Sequence, residues 1–343
     1  MSLPRDTTSG LAVGVRVDAG GRMGVGHAVR CLALTQELRG RGLPVTVFGR
    51  LDIDWVRAGY EQVDVPVRAA EQMLDAPLSH AVVDGYEIPS SLGQSLRDNG
   101  IRVAALIDDD FGAHQVADLY VDQNFGARPH EGGPEGSVAL AGPDYALFRD
   151  EILAARSNAA AQSSAPVKVL AVFGGTDPFG ASEVLVPMLL DTGVPMHLLV
   201  LCPDPERAIR LRRLPVASGQ EVEVVAALPD LAATAAGCDL AVSAAGSTVW
   251  ELLTVGTPTA VVCVVDNQEP GYRATTAAGL VVPAGRLPAL TSPNADARER
   301  AEAVTALHRL LTDADLRRSL REGGRRLFDG RGRERVADAL LAD

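Results

Sequence analysis

Along most of its length the chain alternates short apolar runs with helical patterns, and the apolar runs carry no polar alternation. "LAVGVRVDA" reads as a strand, and "GHAVRCLALTQELRGRG" reads as a helix with an apolar face and a glycine stop. "PVTVFG", "HAVVDG", "RVAALIDDD" and "ADLYVDQN" continue the series. Strands that are apolar on both faces belong in a parallel sheet covered by helices on each side. The fold class expected is therefore α/β.

The segment "LAARSNAAAQSSAPV", Leu153 to Val167, is small, polar and of low complexity, as linkers are. A second α/β series follows, with strands in "KVLAVFGG", "MHLLVLC", "VEVVAAL", "DLAVSAAG" and "PTAVVCVV". The final stretch, "DADLRRSLREGGRRLFDGRGRERVADALLAD", reads as two helices separated by glycines. A chain of 343 residues has room for two domains. The expectation is a Rossmann-like domain over 1–153, a linker over 154–166, and a second Rossmann-like domain over 167–343. Ligands of such sheets bind beyond the carboxyl ends of the strands, here in an intervening cleft.

The net charge of −12 argues against general binding to nucleic acid or to an anionic membrane surface. It leaves room for an anionic small ligand held by backbone N–H groups. Four cysteines, Cys31, Cys202, Cys238 and Cys263, are far apart and form no C-x-x-C, so buried reduced thiols are expected. "MSLPRDTTSG" has no apolar core of a secretory leader, and no apolar run approaches the ~18 residues of a membrane span. A cytoplasmic protein is expected.

"GGRMGVGHAVRC", Gly20 to Cys31, is a glycine-rich loop running into a helix. As a dinucleotide fingerprint it fails, because Val29 stands where G-x-G-x-x-G needs its third glycine. What the loop does offer is His27 in the first helical turn. The helix dipole there favours the neutral imidazole, which can act as a general base. Asp84 and Tyr86, in "DGYEI", end a strand and are expected to face the cleft. "IDDDFGAHQVADLYVDQN" holds Asp108, Asp109, Asp110, His114, Asp118 and Asp122. His114 and Asp118 have the spacing of a metal pair. Three consecutive aspartates cannot all face one way, however, so a cleft wall without metal is expected.

In the second half, "FGGTDPFGAS" lets the backbone approach an anion at Gly174, Gly175 and Thr176, after which Asp177–Pro178 is expected to start a helix. "SAAGSTVWELLTVGTP" turns from a strand into a helix through Gly246, Ser247 and Thr248. Free N–H groups at that helix start suit a diphosphate. Glu251 can either accept from a ribose diol or close a capping box with Thr248. Asn267 and Gln268, at the end of the next strand, offer two amides.

Taken in order, "GxGHxxRC", "DGY", "IDD…AD…DQN", "GPDYALFRDE", "FGGTDP" and "GSTxxELxxxGxP…NQ" resemble the nucleotide-sugar hydrolases of the pseudaminic acid pathway, which act on UDP-2,4-diacetamido-2,4,6-trideoxy-altropyranose. That family is similar in turn to the peptidoglycan N-acetylglucosaminyltransferase of the GT-B fold. The resemblance spans roughly Val13 to Gly279. It implies a GT-B enzyme that cleaves a nucleotide diphosphate sugar with inversion. His27 would activate water at the anomeric carbon. Gly26, Arg30, Asp84, Tyr86 and Asp109 would meet the sugar. Gly174, Gly175, Thr176, Gly246, Ser247, Thr248, Glu251, Asn267 and Gln268 would hold the nucleotide diphosphate. No metal and no cofactor are expected. A GT-B glycosyltransferase, with a small-molecule acceptor in place of water, is the alternative. A non-catalytic nucleotide-sugar binder and a nicotinamide oxidoreductase are the weaker ones.

Overall fold

A computed structural model describes residues 10–20, 25–108, 112–158, 166–291 and 297–342. The chain divides into two compact units, Met1–Asp150 with Gly330–Asp343, and Glu151–Asp329.

In chain order the first unit contributes β1 (Val13–Val17), α1 (Gly26–Gly40), β2 (Val45–Phe48), α2 (Asp54–Gln62), β3 (Val67–Arg68), β4 (His80–Asp84), α3 (Ser91–Asp98), β5 (Arg102–Leu106), β6 (Leu119–Asp122) and β7 (Val138–Ala141). The chain continues with α4 (Asp150–Asn158), β8 (Val167–Val172), α5 (Ala181–Leu190), β9 (Met196–Leu201), α6 (Pro205–Arg212), β10 (Gln220–Val225) and α7 (Leu231–Ala236). It ends with β11 (Leu240–Ala244), α8 (Thr248–Val255), β12 (Thr259–Cys263), α9 (Glu269–Ala277), β13 (Val282–Arg286), α10 (Leu287–Thr291), α11 (Ala297–Thr312), α12 (Ala314–Leu327) and α13 (Gly332–Leu341).

The first sheet has seven strands in the order β3-β2-β1-β4-β5-β6-β7, and the second has six in the order β10-β9-β8-β11-β12-β13. Their pairings are parallel. Both sheets bury both faces. Val13, Val15 and Val17 pack with α1 on one side of the first sheet. Ala81, Val83, Val103 and Ala105 pack with Leu96 of α3 on the other. This two-sided burial is why the central strands read as continuous apolar runs. Each order reverses once, between β1 and β4 and between β8 and β11. At such a reversal the loops leaving two neighbouring strands diverge, and a crevice opens at the carboxyl edge.

Two boundaries differ from the sequence reading. Residues 154–158, expected in the linker, belong to α4; of the rest of that expected linker, 159–165 lie outside the described residues. Helix α13, expected in the second domain, packs on the first unit. Val336, Ala337 and Leu340 join the core of β1 and α1. Gly332 sits so close to Ala146 that a Cβ would come within 2.2 Å of its carbonyl oxygen. Arg333 pairs with Asp150 and Glu37, and Arg41 with Asp338. The apolar stripe of α13 is equally compatible with either sheet, so its pattern carried no address. The final stretch forms two helices, as expected: the break at 328–331 holds Gly330, while Gly323 and Gly324 lie within α12. There Gly324 lies 2.9 Å, measured from where its Cβ would be, from the Leu253 carbonyl oxygen.

Among the described residues, no helix is long and apolar enough to cross a membrane. All four cysteines are buried thiols.

Candidate active site

Four chain segments meet at the carboxyl edge of the first sheet: the start of α1, the ends of β4 and β6, and the second residue after β5. His27 is the second residue of α1, and Asp84 is the last of β4. Because α1 leaves β1 and β4 is the neighbour of β1, the register sets the two side chains against each other. Nδ1 of His27 lies 2.7 Å from Oδ1 of Asp84. A carboxylate only accepts, so this contact places the ring proton on Nδ1 and the lone pair on Nε2.

Arg30 is one helical turn further along α1. It donates Nε–H and Nη2–H to the two oxygens of Asp84, both at 2.7 Å. Its Nη1–H goes to Oδ1 of Asp108 at 2.7 Å. Nη2 also comes within 3.2 Å of His27 Nδ1; with a proton on Nδ1 that approach is a contact, not a hydrogen bond. Asp108 accepts from the Tyr86 hydroxyl at 2.7 Å and from Asn124 Nδ2 at 2.8 Å. The Tyr86 ring stands edge-on to the His27 ring, with centroids 4.5 Å apart at 90°. His27, Asp84, Arg30, Asp108 and Tyr86 thus close into a ring of contacts. The His27 side chain borders a cavity of about 290 Å³ that Tyr86, Asp18 and Glu87 also line.

Charge states follow from these partners. Burial alone would push the Asp84 carboxyl up, but the charge and hydrogen bonds of Arg30, with His27, outweigh it and hold Asp84 below the usual range. The same contest leaves Asp108 at about 2, with Arg30, Tyr86 and Asn124 opposing burial. Burial and the bond to Asp108 push the Tyr86 phenol up, so it stays a donor. Both carboxylates are ionised and one guanidinium lies between them.

This geometry corrects two expectations. Arg30 and Asp84 were expected to touch the sugar. Their side chains are only 8% and 0% exposed; Arg30 does not line the cavity and is bonded to Asp84 and Asp108, while Asp84 borders the cavity with its carboxylate held by Arg30 and His27. The expected acidic wall divides its residues among separate tasks. Asp118 pairs with Arg97 and accepts from the Val103 amide, and His114 contacts the Ile88 carbonyl. Asp122 accepts from Asn124. Asp109, Asp110 and the loop residues 21–24 lie outside the described residues. Gly26 opens α1 with free space around its α-carbon. Asp108 was expected only as one of an acidic cleft wall, and Asn124 was not singled out from the sequence. Nothing in a run of three aspartates marks Asp108 as the partner of Arg30 until the neighbouring strand is placed.

In the second unit a cavity of about 200 Å³ opens at the carboxyl edge, between the loops after β8, β11 and β12. Gly174, Gly246, Ser247, Thr248 and Gln268 line it. Gly174 has φ +78°, a conformation open to glycine at little cost. Gln268 accepts from the Val264 amide through Oε1 at 3.0 Å, which leaves its Nε2 turned toward Gly246, 3.6 Å from where a Cβ would stand. Helix α8 begins with Ser247 as N-cap, and no side chain caps it. The expected capping box needs Thr248 as N-cap, whereas Ser247 holds that position. The Val249 and Trp250 amides donate to the Gly246 and Ser247 carbonyls, so an anion at this helix start would meet the Ser247 and Thr248 amides.

Gly175 and Thr176 are exposed beside this cavity and do not line it; Asn267 is likewise exposed. Glu251 borders, with Thr248, a separate narrow hollow against α7. Asp177–Pro178 does not start a helix: α5 begins at Ala181 after a turn. Asp177 nevertheless caps it from upstream. Its carboxylate accepts from the amides of Ala181 and Ser182 and from the Ser182 hydroxyl, at φ +46°.

No protein-family model matches the chain. The spore coat polysaccharide biosynthesis protein SpsG of Bacillus subtilis (strain 168) is 23% identical over 346 residues, 96% of this chain and 98% of its own. MurG of Acinetobacter baumannii superposes with a TM-score of 0.68 at 16% identity, covering 97% of this chain and 100% of that one. The calicheamicin glycosyltransferase CalG4 gives 0.60 at 16% identity, covering 97% and 98%. MnaA of S. aureus, solved with UDP, gives 0.60 at 12% identity, covering 96% and 95%. The fold is thus that of the GT-B glycosyltransferases, built from two Rossmann-like units with parallel sheets.

Proposed function

We propose that this chain is an enzyme that cleaves a nucleotide diphosphate sugar at its anomeric carbon, with water as the acceptor. The observation that carries the reading is His27: its Nδ1 is held by a buried carboxylate and its ring borders a cavity. A base so oriented keeps one tautomer and offers Nε2 to a proton. In the step proposed, a water oxygen attacks the anomeric carbon while Nε2 takes its proton. The carbon–oxygen bond to the diphosphate breaks with inversion, and its electron pair leaves on the nucleotide diphosphate. The uncapped start of α8, with Gly246, Ser247 and Thr248, would stabilise that anion. Gln268 Nε2 would donate to it or to the sugar. Tyr86 would meet the sugar from the cavity wall.

The similarity to SpsG, a polysaccharide biosynthesis protein, supports a role in carbohydrate assembly. The UDP of the MnaA structure supports a uridine nucleotide. A cavity of about 290 Å³ is at the small end for ligand sites, which favours water over a bulky acceptor. A second reading, transfer to a small-molecule acceptor, is favoured by the glycosyltransferases among the solved structures of the same fold.

The test is nucleotide release from a panel of nucleotide diphosphate sugars, with and without acceptors. Release without acceptor supports the hydrolase, and release only with acceptor supports the transferase. Full activity in His27→Ala would overturn both.

A further inference from the structure

The buried cluster behind His27 does not balance its charge. Arg30 brings one positive charge, and Asp84 and Asp108 bring two negative ones, at side-chain exposures of 8%, 0% and 23%. Arg30 already has a bidentate partner in Asp84. Burying a second carboxylate against the same guanidinium costs desolvation energy, which a structural role alone does not require. The arrangement balances only when a further positive charge appears, and His27 is the group placed to carry it.

The surroundings of His27 bear this out. From α1 come Arg30 and Cys31, whose thiol donates to Asp84 and is pushed up by burial. From β4 and the loop after it come Asp84, Tyr86 and Glu87. From the segment after β1 comes Asp18, which is already paired with Arg16 at 2.7 Å. Asp122, at the end of β6, accepts from Asn124, which also donates to Asp108. With a neutral imidazole, the trio Asp84, Arg30 and Asp108 sums to −1. With an imidazolium the group of four sums to zero. Without Asp108, Arg30 alone would cancel Asp84 and leave nothing for the ring.

We propose that Asp108 is a positioning residue for His27: it draws part of the Arg30 charge onto itself, frees Asp84 to stabilise the imidazolium, and seats Tyr86 against the ring. Its catalytic consequence rests on the reading of His27 as the base. Asp108 touches neither the ring nor the reacting atoms and acts through Arg30, Asp84 and Tyr86.

Asp108→Asn removes the charge at nearly constant shape. Two readouts separate the inference from the functional reading. The first is an NMR titration of the His27 ring in the full chain without substrate. It is expected to move to lower pH by about half a unit or more in the variant, the effect of a unit charge lost a few bonds away. The second is the pH profile of kcat for a nucleotide sugar that the protein turns over. Its acidic limb should move the same way, with plateau kcat down about tenfold or more and KM within about twofold. Asp108→Glu should recover part of both. An unmoved titration in folded Asp108→Asn overturns the proposal. A moved titration with unchanged kcat upholds the coupling and instead sinks the role of His27 as the base. Should Asp108→Asn fail to fold, Tyr86→Phe decides. Losing the phenol donor leaves the Asp108 charge less screened, so the titration should move upward, and no movement overturns the proposal.

Discussion

Asp84→Asn is the sharpest test of the site, because it leaves shape almost unchanged and alters only charge and donor pattern. Asp84 accepts three hydrogen bonds of 2.7 Å, two from Arg30 and one from His27. An asparagine keeps one acceptor oxygen and turns the other into an NH₂ facing N–H groups. Each charge-assisted bond lost costs about 1.5–3 kcal/mol. Losing the equivalent of two gives about 3–6 kcal/mol, which overlaps the ~3–5 kcal/mol for breaking a buried ion pair. The surviving bond from Arg30 to Asp108 places the expected cost toward the lower end. Catalysis should suffer more. Without a carboxylate on Nδ1 the ring loses its fixed tautomer, and such a change at a His–Asp pair lowers turnover by about 10⁴-fold, or ~5 kcal/mol of barrier. The denaturation midpoint in urea reads the first effect, and nucleotide release at saturating nucleotide sugar reads the second. A folded Asp84→Asn protein within about tenfold of the parent in turnover would refute the argument that Asp84 orients the base.

Three further outcomes are expected. Asp108 sits at about 2 when folded, against an ordinary 3.8, so its depressed value contributes about 2 kcal/mol. That stability is fully present above about pH 4 and is lost as pH falls toward 2; acid unfolding of the parent and of Asp108→Asn should converge there. Asp177→Ala removes three bonds that cap α5 and the residue that holds a left-handed turn, so unfolding of the second unit should ease by about 2–3 kcal/mol, read by urea denaturation. Gly246→Val, by contrast, adds a side chain toward Gln268 on the wall of the cavity; nucleoside diphosphate affinity by calorimetry should fall about tenfold or more, with the melting temperature nearly unchanged.

Much of the fold was legible before any coordinates. The inner strands β1, β2, β4, β5, β6, β8, β9, β11 and β12 announce themselves as mainly apolar runs, as a parallel sheet covered on both sides favours. The outer strands β3, β7, β10 and β13 carry no such mark: β10, QEVEVV, alternates, with Glu221 and Glu223 exposed. Strand β3 has two residues, both exposed, and β7 is only partly buried. The same contrast runs through the site. His27 stood out because glycines surround it at a helix start, and Gly246, Ser247 and Thr248 because small residues join a strand to a helix.

The sequence by itself therefore determined two parallel α/β units, the helix start that carries His27, and the small-residue turn before α8. Only the tertiary structure decided that α13 closes the first unit, that Arg30 and His27 both bond to Asp84, and that Asp108 pairs with the same guanidinium. Local composition specifies periodicity and backbone freedom within a few residues. Ion pairs such as Arg30 with Asp84 and Asp108 span 54 and 78 residues, and they exist only once strand register brings the carboxyl ends of β1, β4 and β5 together. For that reason "GGRMGVGHAVRC" could single out His27, but not the residues that hold it.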